Sequence, residues 1–326
     1  MEAVVIMQQE SKYHPMLFWL ALATCVIAFV LIGSGGTVTS TGVGMVDEKW
    51  TFSPFNLFTV RGFEESVKSL GMFIEHSHRQ LGYIVGMLAV VLACFCWAVE
   101  RGHRRWIGVA VLVAVGLQGA LGAARILLNP KEGILNPVLG RDYAMIHGFF
   151  GQVTFAFLVA CTFTFSRSWI SARRDATSSA DEFQSLTKLL SILFLVQLTI
   201  AVLVRHYGGG LLLIAHASVA VLIFLLTFLV VVRSIRLPRQ LIKFPLYALA
   251  LEVIMMIVLG TTAWWLGAGY GALDGTTPDL HRMTLATLHQ WLGALTLATS
   301  IILTMRTRRH LVPLSTEPPV EAKAER

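Results

Sequence analysis

Eight stretches of roughly twenty residues pass through this chain almost without charge. They are Met16–Gly35, Gly71–Val99, Trp106–Ala124, Tyr143–Phe165, Leu189–Val204, Gly210–Val232, Phe244–Gly267 and Thr284–Met305. A helix needs about 20 apolar residues to cross the hydrocarbon core of a bilayer. The fifth stretch extends through Lys188, whose long stem can reach the interface. The seventh carries a single charge, Glu252, near its start. Only 14% of the 326 residues are charged, against roughly 25% in soluble domains. The expectation is an all-α integral membrane protein with eight transmembrane helices.

The net charge of +7 would point to nucleic acid in a soluble protein. Here it is read as basic loops that hold helices in a bilayer, with no nucleic-acid partner. Sixteen Lys and Arg lie in the N-terminal segment, the even-numbered loops and the tail, against eight in the opposite loops. The positive-inside rule then puts both termini in the cytoplasm. The segment before Met16 is short, and the first stretch is too long for a signal h-region. No Arg- and Ser-rich transit sequence is visible, which favours a bacterial inner membrane. Cys25, Cys94, Cys96 and Cys161 all sit in apolar stretches and read as small apolar filler rather than disulfides or zinc ligands.

The most polar inner loop, 166–186, divides the helices four and four. Two pseudo-symmetric four-helix bundles are expected: residues 1–165, a cytoplasmic linker 166–186, residues 187–310, and a disordered tail 311–326 rich in Pro, Glu and Lys.

The histidines carry an internal repeat. His78, His147, His216 and His289 fall in the second, fourth, sixth and eighth stretches. Their spacing is 69 within the first half and 73 within the second, and the halves are offset by 138 and 142. His147 and His289 share an H-x-x-x-G pattern with Gly151 and Gly293, and a glycine one turn away leaves room for something flat beside the helix. All four histidines fall within the first two turns or so of helices that run inward from the outer face. Polar residues inside a membrane are costly and mark function. Two histidines on separate helices, in two copies, suit a flat macrocycle with iron bound from both sides.

His76 and His78 are two residues apart and diverge by about 200° on a helix. His78 matches the repeat and is chosen as the ligand, with His76 as the alternative. Glu75, on nearly the same face as His78, is either a salt partner for Arg79 or a group that handles charge or protons beside the reacting centre. Arg125, Arg205 and His206, at the outer ends of the third and fifth stretches, are either propionate partners or interface anchors. Gln118 and Gln197 read as helix–helix hydrogen bonds, Glu252 as approaching the inner headgroups, and Trp264 and Trp265 as an aromatic belt.

At these residues the chain resembles the haem A synthase family, over about residues 16–305. Glu75-His76-Ser77-His78-Arg79 resembles the family's E-x-x-H-R, and His147, His216 and His289 its other histidines. The segment from Gly35 to Met45 is similar to G-G-x-T-x-x-x-x-G-x-x-M, and that from Arg205 to Gly210 to R-H-x-x-x-G. The resemblance implies a b-type haem cofactor on His216 and His289 and a substrate, haem O, on His78 and His147. It implies oxidation of a ring methyl to a formyl group by successive hydroxylations with water-derived oxygen. Glu75 would be the catalytic carboxylate, with Arg79, Arg205 and His206 as further haem-binding residues. The implied partners are haem O, haem O synthase, an unidentified electron acceptor and membrane lipid, with room left for a homo-oligomer. The loop Thr37–Ser69 lacks the cysteine pair that many bacterial members carry.

Two rivals come from other classes. A diheme b-type electron-transfer protein places one haem near each face, which requires a second histidine 13 or 14 residues further along each helix, about 20 Å away. Those positions hold Val91/Leu92, Ala160/Cys161, Leu229/Val230 and Ile302/Leu303. A transporter or oxidase assembly factor would show helices broken at the midplane in both halves, whereas the helix interiors read as free of proline.

Overall fold

The structure is a computed structural model that describes residues 12–47, 59, 62, 64, 66–127, 137–172, 174–235, 237, 240–266 and 280–314. Among the described residues eight helices are long and apolar enough to cross a membrane, so the chain is a multi-pass helical membrane protein. They are α1 (Pro15–Thr41), α2 (Leu70–Val99), α3 (Arg105–Leu127), α4 (Pro137–Thr164), α5 (Ala180–Tyr207), α6 (Gly210–Ser234), α7 (Gln240–Trp265) and α8 (Leu280–His310).

Local chemistry sets the helix ends. Pro15 opens α1, where its missing N–H is no loss, and Gly42 closes it in the left-handed conformation at φ 68°. Helix α1 therefore runs six residues past Gly35, through the Gly- and Thr-rich segment read from sequence as following it. Thr37, Thr39 and Thr41 each hydrogen-bond the carbonyl four residues back, which ties their hydroxyls into the helix. Ser69 caps α2 by accepting from the N–H of Met72 at 3.1 Å. Gly208 and Gly209, at φ 67° and 101°, make the tight reversal from α5 to α6.

Each half closes on itself. Helices α1 to α4 touch in the ring α1–α2–α3–α4–α1, and α5 to α8 form the equivalent ring. The even-numbered helices of each half thus face one another diagonally across their bundle. The halves meet where α8 packs on α1 and α4, and α4 on α5. At this seam Trp291 lies in a notch over Gly33, where a Cβ would come within 2.8 Å of its ring. Its indole Nε1 donates to the Phe29 carbonyl at 2.7 Å, and the two rings stack at 4.8 Å. Large apolar side chains such as Leu211, Phe228, Phe244 and Trp265 face outward, as lipid contact requires.

Three expectations change. Helix α7 begins at Gln240, so Pro245 lies inside a helix. Glu252 stands twelve residues into α7, midway along it rather than near its start. Pro245 sits near one end of its span, and α3 has no counterpart there, so the midplane break of a transporter is still not matched. Finally, Leu311–Val312 pair in parallel with Asp175–Ala176. Leu311 is buried, and its carbonyl accepts from Gln184 Nε2 at 2.9 Å, so the tail begins as ordered chain; residues 315–326 lie outside the described residues.

Candidate functional site

The diagonal arrangement brings the four histidines together in two pairs. The ring centres of His78 and His147 are 6.4 Å apart, and those of His216 and His289 are 6.2 Å apart. Metal–imidazole bonds of about 2.0 Å, plus roughly 1.2 Å from ring nitrogen to ring centre, put two imidazoles on opposite sides of one metal about 6.4 Å apart. Both pairs match that span. Their interplanar angles of 88° and 66° are compatible with it, because each ring can turn about the shared axis. His78, His147, His216 and His289 lie six to ten residues from the starts of α2, α4, α6 and α8, so both pairs occupy the same end of the bundle.

Each ring is seated by the helix that precedes its own. A Cβ on Gly35 would come within 3.0 Å of His78 Cε1, one on Gly122 within 3.1 Å of His147 Cε1, and one on Gly260 within 2.9 Å of His289 Cε1. One turn earlier on those helices stand Leu31, Gln118 and Met256, whose backbone carbonyls approach the same three rings. Ser34 Oγ donates to Leu31 O at 3.1 Å and shares a 2.9 Å hydrogen bond with His78 Nδ1. Its single proton being used, Ser34 accepts from Nδ1–H, which leaves Nε2 of His78 unprotonated and able to bind a metal. Gln118 Nε2 donates to the His147 carbonyl at 2.7 Å and lies 3.0 Å from His147 Nδ1. Gln197 Nε2 donates likewise to the His216 carbonyl at 3.0 Å, and sits 3.4 Å from His216 Nε2. His216 Nδ1 is buried with no hydrogen-bond partner among the described residues. On α5 the position one turn after Gln197 is Ala201 rather than glycine, so the His216 seat is the odd one of the four.

Among the described residues no group of three or more His, Cys, Asp or Glu could hold a metal ion. Two histidines alone leave most of a metal's coordination sphere to be filled by something other than protein. A planar tetradentate macrocycle fills it, and the glycine seats and the buried, unpaired His216 Nδ1 fit such a group.

Positive charge gathers near the pairs. Arg125 is within electrostatic reach of His78, His147, Glu75 and His206, and its guanidinium packs on Gly44. Arg205 is within reach of His289 and His206, and donates to Ser40 Oγ at 2.8 Å. Ser40 bonds Thr287 of α8 at 2.8 Å. Arg125 therefore stands by the first pair and Arg205 by the second, and both reach His206.

Glu75 and Arg79 sit in a buried ionic network. Glu75 Oε2 accepts from the backbone N–H groups of Val46 and Asp47 at 2.8 and 2.9 Å, and Oε1 from Arg79 at 2.7 Å. Arg79 also bonds Asp47 Oδ2 at 3.0 Å and its carbonyl at 2.6 Å. His76 belongs to this network and not to the pairs: its Nε2 lies 3.0 Å from Asp47 Oδ2 and its Nδ1 2.7 Å from Ser66 Oγ. It is His78 that faces His147. Sequence reasoning missed Ser34, Asp47, Ser66 and the three glycine seats. The recurring glycine one turn after Leu31, Gln118 and Met256 was a readable signal.

No protein-family model matches this chain, and no curated protein matches it at a significant level.

Proposed function

We propose that the protein is a haem A synthase: it oxidises a ring methyl of haem O to a formyl group. The carrying observation is the pair of facing imidazole couples, each spaced for one six-coordinate iron and both at one end of the bundle. His216 and His289 would hold a b-type haem as resident cofactor, and His78 and His147 the substrate haem O. A bound b-type haem supplies one-electron redox chemistry. Conversion of methyl to formyl takes up one water and releases four protons and four electrons, which leave for an acceptor outside the chain.

The chain's own residues bind and orient. Ser34 and the Leu31 carbonyl fix the His78 ring, and Gln118 fixes the backbone beneath His147. Arg125, Arg205 and His206 supply cations for the substrate and cofactor carboxylates. Glu75, with both oxygens already engaged, acts as a fixed negative charge one turn from His78, and stabilises positive charge that develops on the substrate. The setting is a bacterial inner membrane with both termini in the cytoplasm. Haem O synthase is the natural supplier of substrate.

Both pairs lie at one end of the bundle, so they do not form a wire across a membrane. Expression beside a haem O source, purification, and mass analysis of extracted pigment tests the reading. A red protein that yields haem A supports it. A red protein that yields only unmodified haems marks a diheme electron carrier, and a colourless one defeats both.

A further inference from the structure

Glu252 is a carboxyl that the proposed reaction does not use. It stands midway along α7, half-buried against α8. Its Oε1 accepts from Thr299 Oγ1 at 3.1 Å, and its Oε2 is buried with no hydrogen-bond partner among the described residues. Helices α6 and α8 pack against α7. On α8, Arg306 lies seven residues from Thr299 towards the chain terminus and His289 ten residues the other way, with His281, Arg282, Arg308, Arg309 and His310 farther off towards its ends. On α6 the titratable groups are His216 and Arg233, and α7 itself adds Lys243 and Tyr247. None of them bonds the carboxyl. A carboxylate at that depth with no bonded cation is costly, so it is poised to bind a proton when the charge around it becomes more negative.

Two further observations locate this carboxyl between a row of hydroxyls on α8 and the second histidine pair. A stripe of hydroxyls climbs α8 from the terminus end. Thr307 bonds Thr187 at 3.0 Å, Thr304 bonds Ser191 at 2.9 Å, and Ser300 follows, next to Thr299 itself. On the other side, Met256 lies one turn beyond Glu252 against Gly293, and Gly260 two turns beyond it against His289. Eight residues of α7 separate Glu252 from the His289 seat, about 12 Å of helix. That is too far for a hydrogen bond and close enough for charge to be felt in a medium of low dielectric.

We infer that Glu252 is a proton-binding site, supplied from the terminus end of the bundle, that takes up a proton when an electron arrives at the group held by His216 and His289. The inference rests on the haem reading of that pair. One electron, released by the methyl oxidation proposed above, would be taken up by the haem that His216 and His289 would hold. One proton from water at the terminus end binds Oε2, and the net charge of the C-terminal half stays constant. On reoxidation by the external acceptor the proton leaves again.

The test is redox infrared difference spectroscopy of the purified holoprotein, with dithionite as reductant, in H2O and D2O. The expected result is a protonated-carboxyl band that grows on reduction, shifts in D2O and is lost in Glu252→Gln, while the visible haem spectrum is unchanged. Thr299→Val, which keeps the carboxyl and removes its hydrogen bond, shifts the band and does not abolish it. A band that persists in Glu252→Gln, or a haem that reduces with no such band in the wild type, overturns the inference alone. A protein that binds no haem overturns the haem reading and this inference together.

Discussion

Gly260→Ala separates the role of the glycine seats from their effect on the helix, because the two act in opposite directions. Gly260 lies inside α7, where its backbone is helical. Alanine there favours the helix by about 1 kcal/mol. The added Cβ, however, would stand 2.9, 3.3 and 3.7 Å from Cε1, Nδ1 and Nε2 of His289. Carbon atoms rest at about 3.5–4.0 Å, so the whole ring must retreat by roughly 0.6 Å or more. A metal ligand tolerates about 0.2 Å. Overpacking of this kind costs about 1–3 kcal/mol, which is roughly a 5–150-fold loss of affinity for the group held by His216 and His289.

The expected outcome is a variant whose haem-free form melts no lower than the wild type, and whose haem-to-protein ratio falls on dilution. Gly119→Ala is the control. Its Cβ would meet nothing within 4 Å, so it should gain helix stability and keep its haem. Thermal melting in detergent and the visible spectrum read the two effects separately. Full haem occupancy with an unchanged spectrum in Gly260→Ala would refute the idea that these glycines seat the ligands.

His78→Ala should abolish binding in the N-terminal half. His76→Ala should keep binding and lose about 1–3 kcal/mol of stability by stranding Ser66 and Asp47, seen as a lower melting temperature at constant spectrum. Glu75→Gln should retain the b-type haem while formyl product disappears from extracted pigment. It should also lower the melting temperature, since breaking a buried ion pair costs about 3–5 kcal/mol. Trp291→Ala removes the ring that fills the Gly33 notch and should cost about 3–5 kcal/mol, read as lower melting and faster proteolysis of the linker between the halves.

The span count and the pairing of the four histidines were legible because each rests on one strong signal. A run of twenty uncharged residues has few other solutions, and the offsets of 138 and 142 single out four of ten histidines. The His78 choice followed from its match to the repeat, with angular divergence excluding that both face one site, and His76 turns away into Asp47 and Ser66. Helix ends were less legible. Thr37, Thr39 and Thr41 look like loop chemistry in one dimension, yet they bond back into α1. The same blindness moved Glu252: without the start at Gln240, its depth in the span was misread. Asp47 and Ser66 were out of reach, because what selects them is a fold that returns the segment after α1 onto α2.

The repeat also shows where the halves stop being equivalent. At an offset of 138, His78 maps on His216 and Gly122 on Gly260, but Glu75, His76 and Arg79 map on Leu213, Ile214 and Ala217. The ionic network therefore belongs to the first half alone. In the other direction Glu252 maps on Ala114. One scaffold thus holds its two imidazole pairs in nearly the same way and gives each a different carboxyl. Glu75 is locked by Arg79 and two backbone N–H groups within a turn of the first pair. Glu252 has one oxygen unpaired, some 12 Å along the helix from the second. A fixed charge beside one pair suits a site where bonds are made. An untethered carboxyl, at a distance from which only charge is sensed, suits a site that just gains and loses electrons. That asymmetry, rather than the shared histidines, is what favours the proposed placing of substrate in the N-terminal half and cofactor in the C-terminal half.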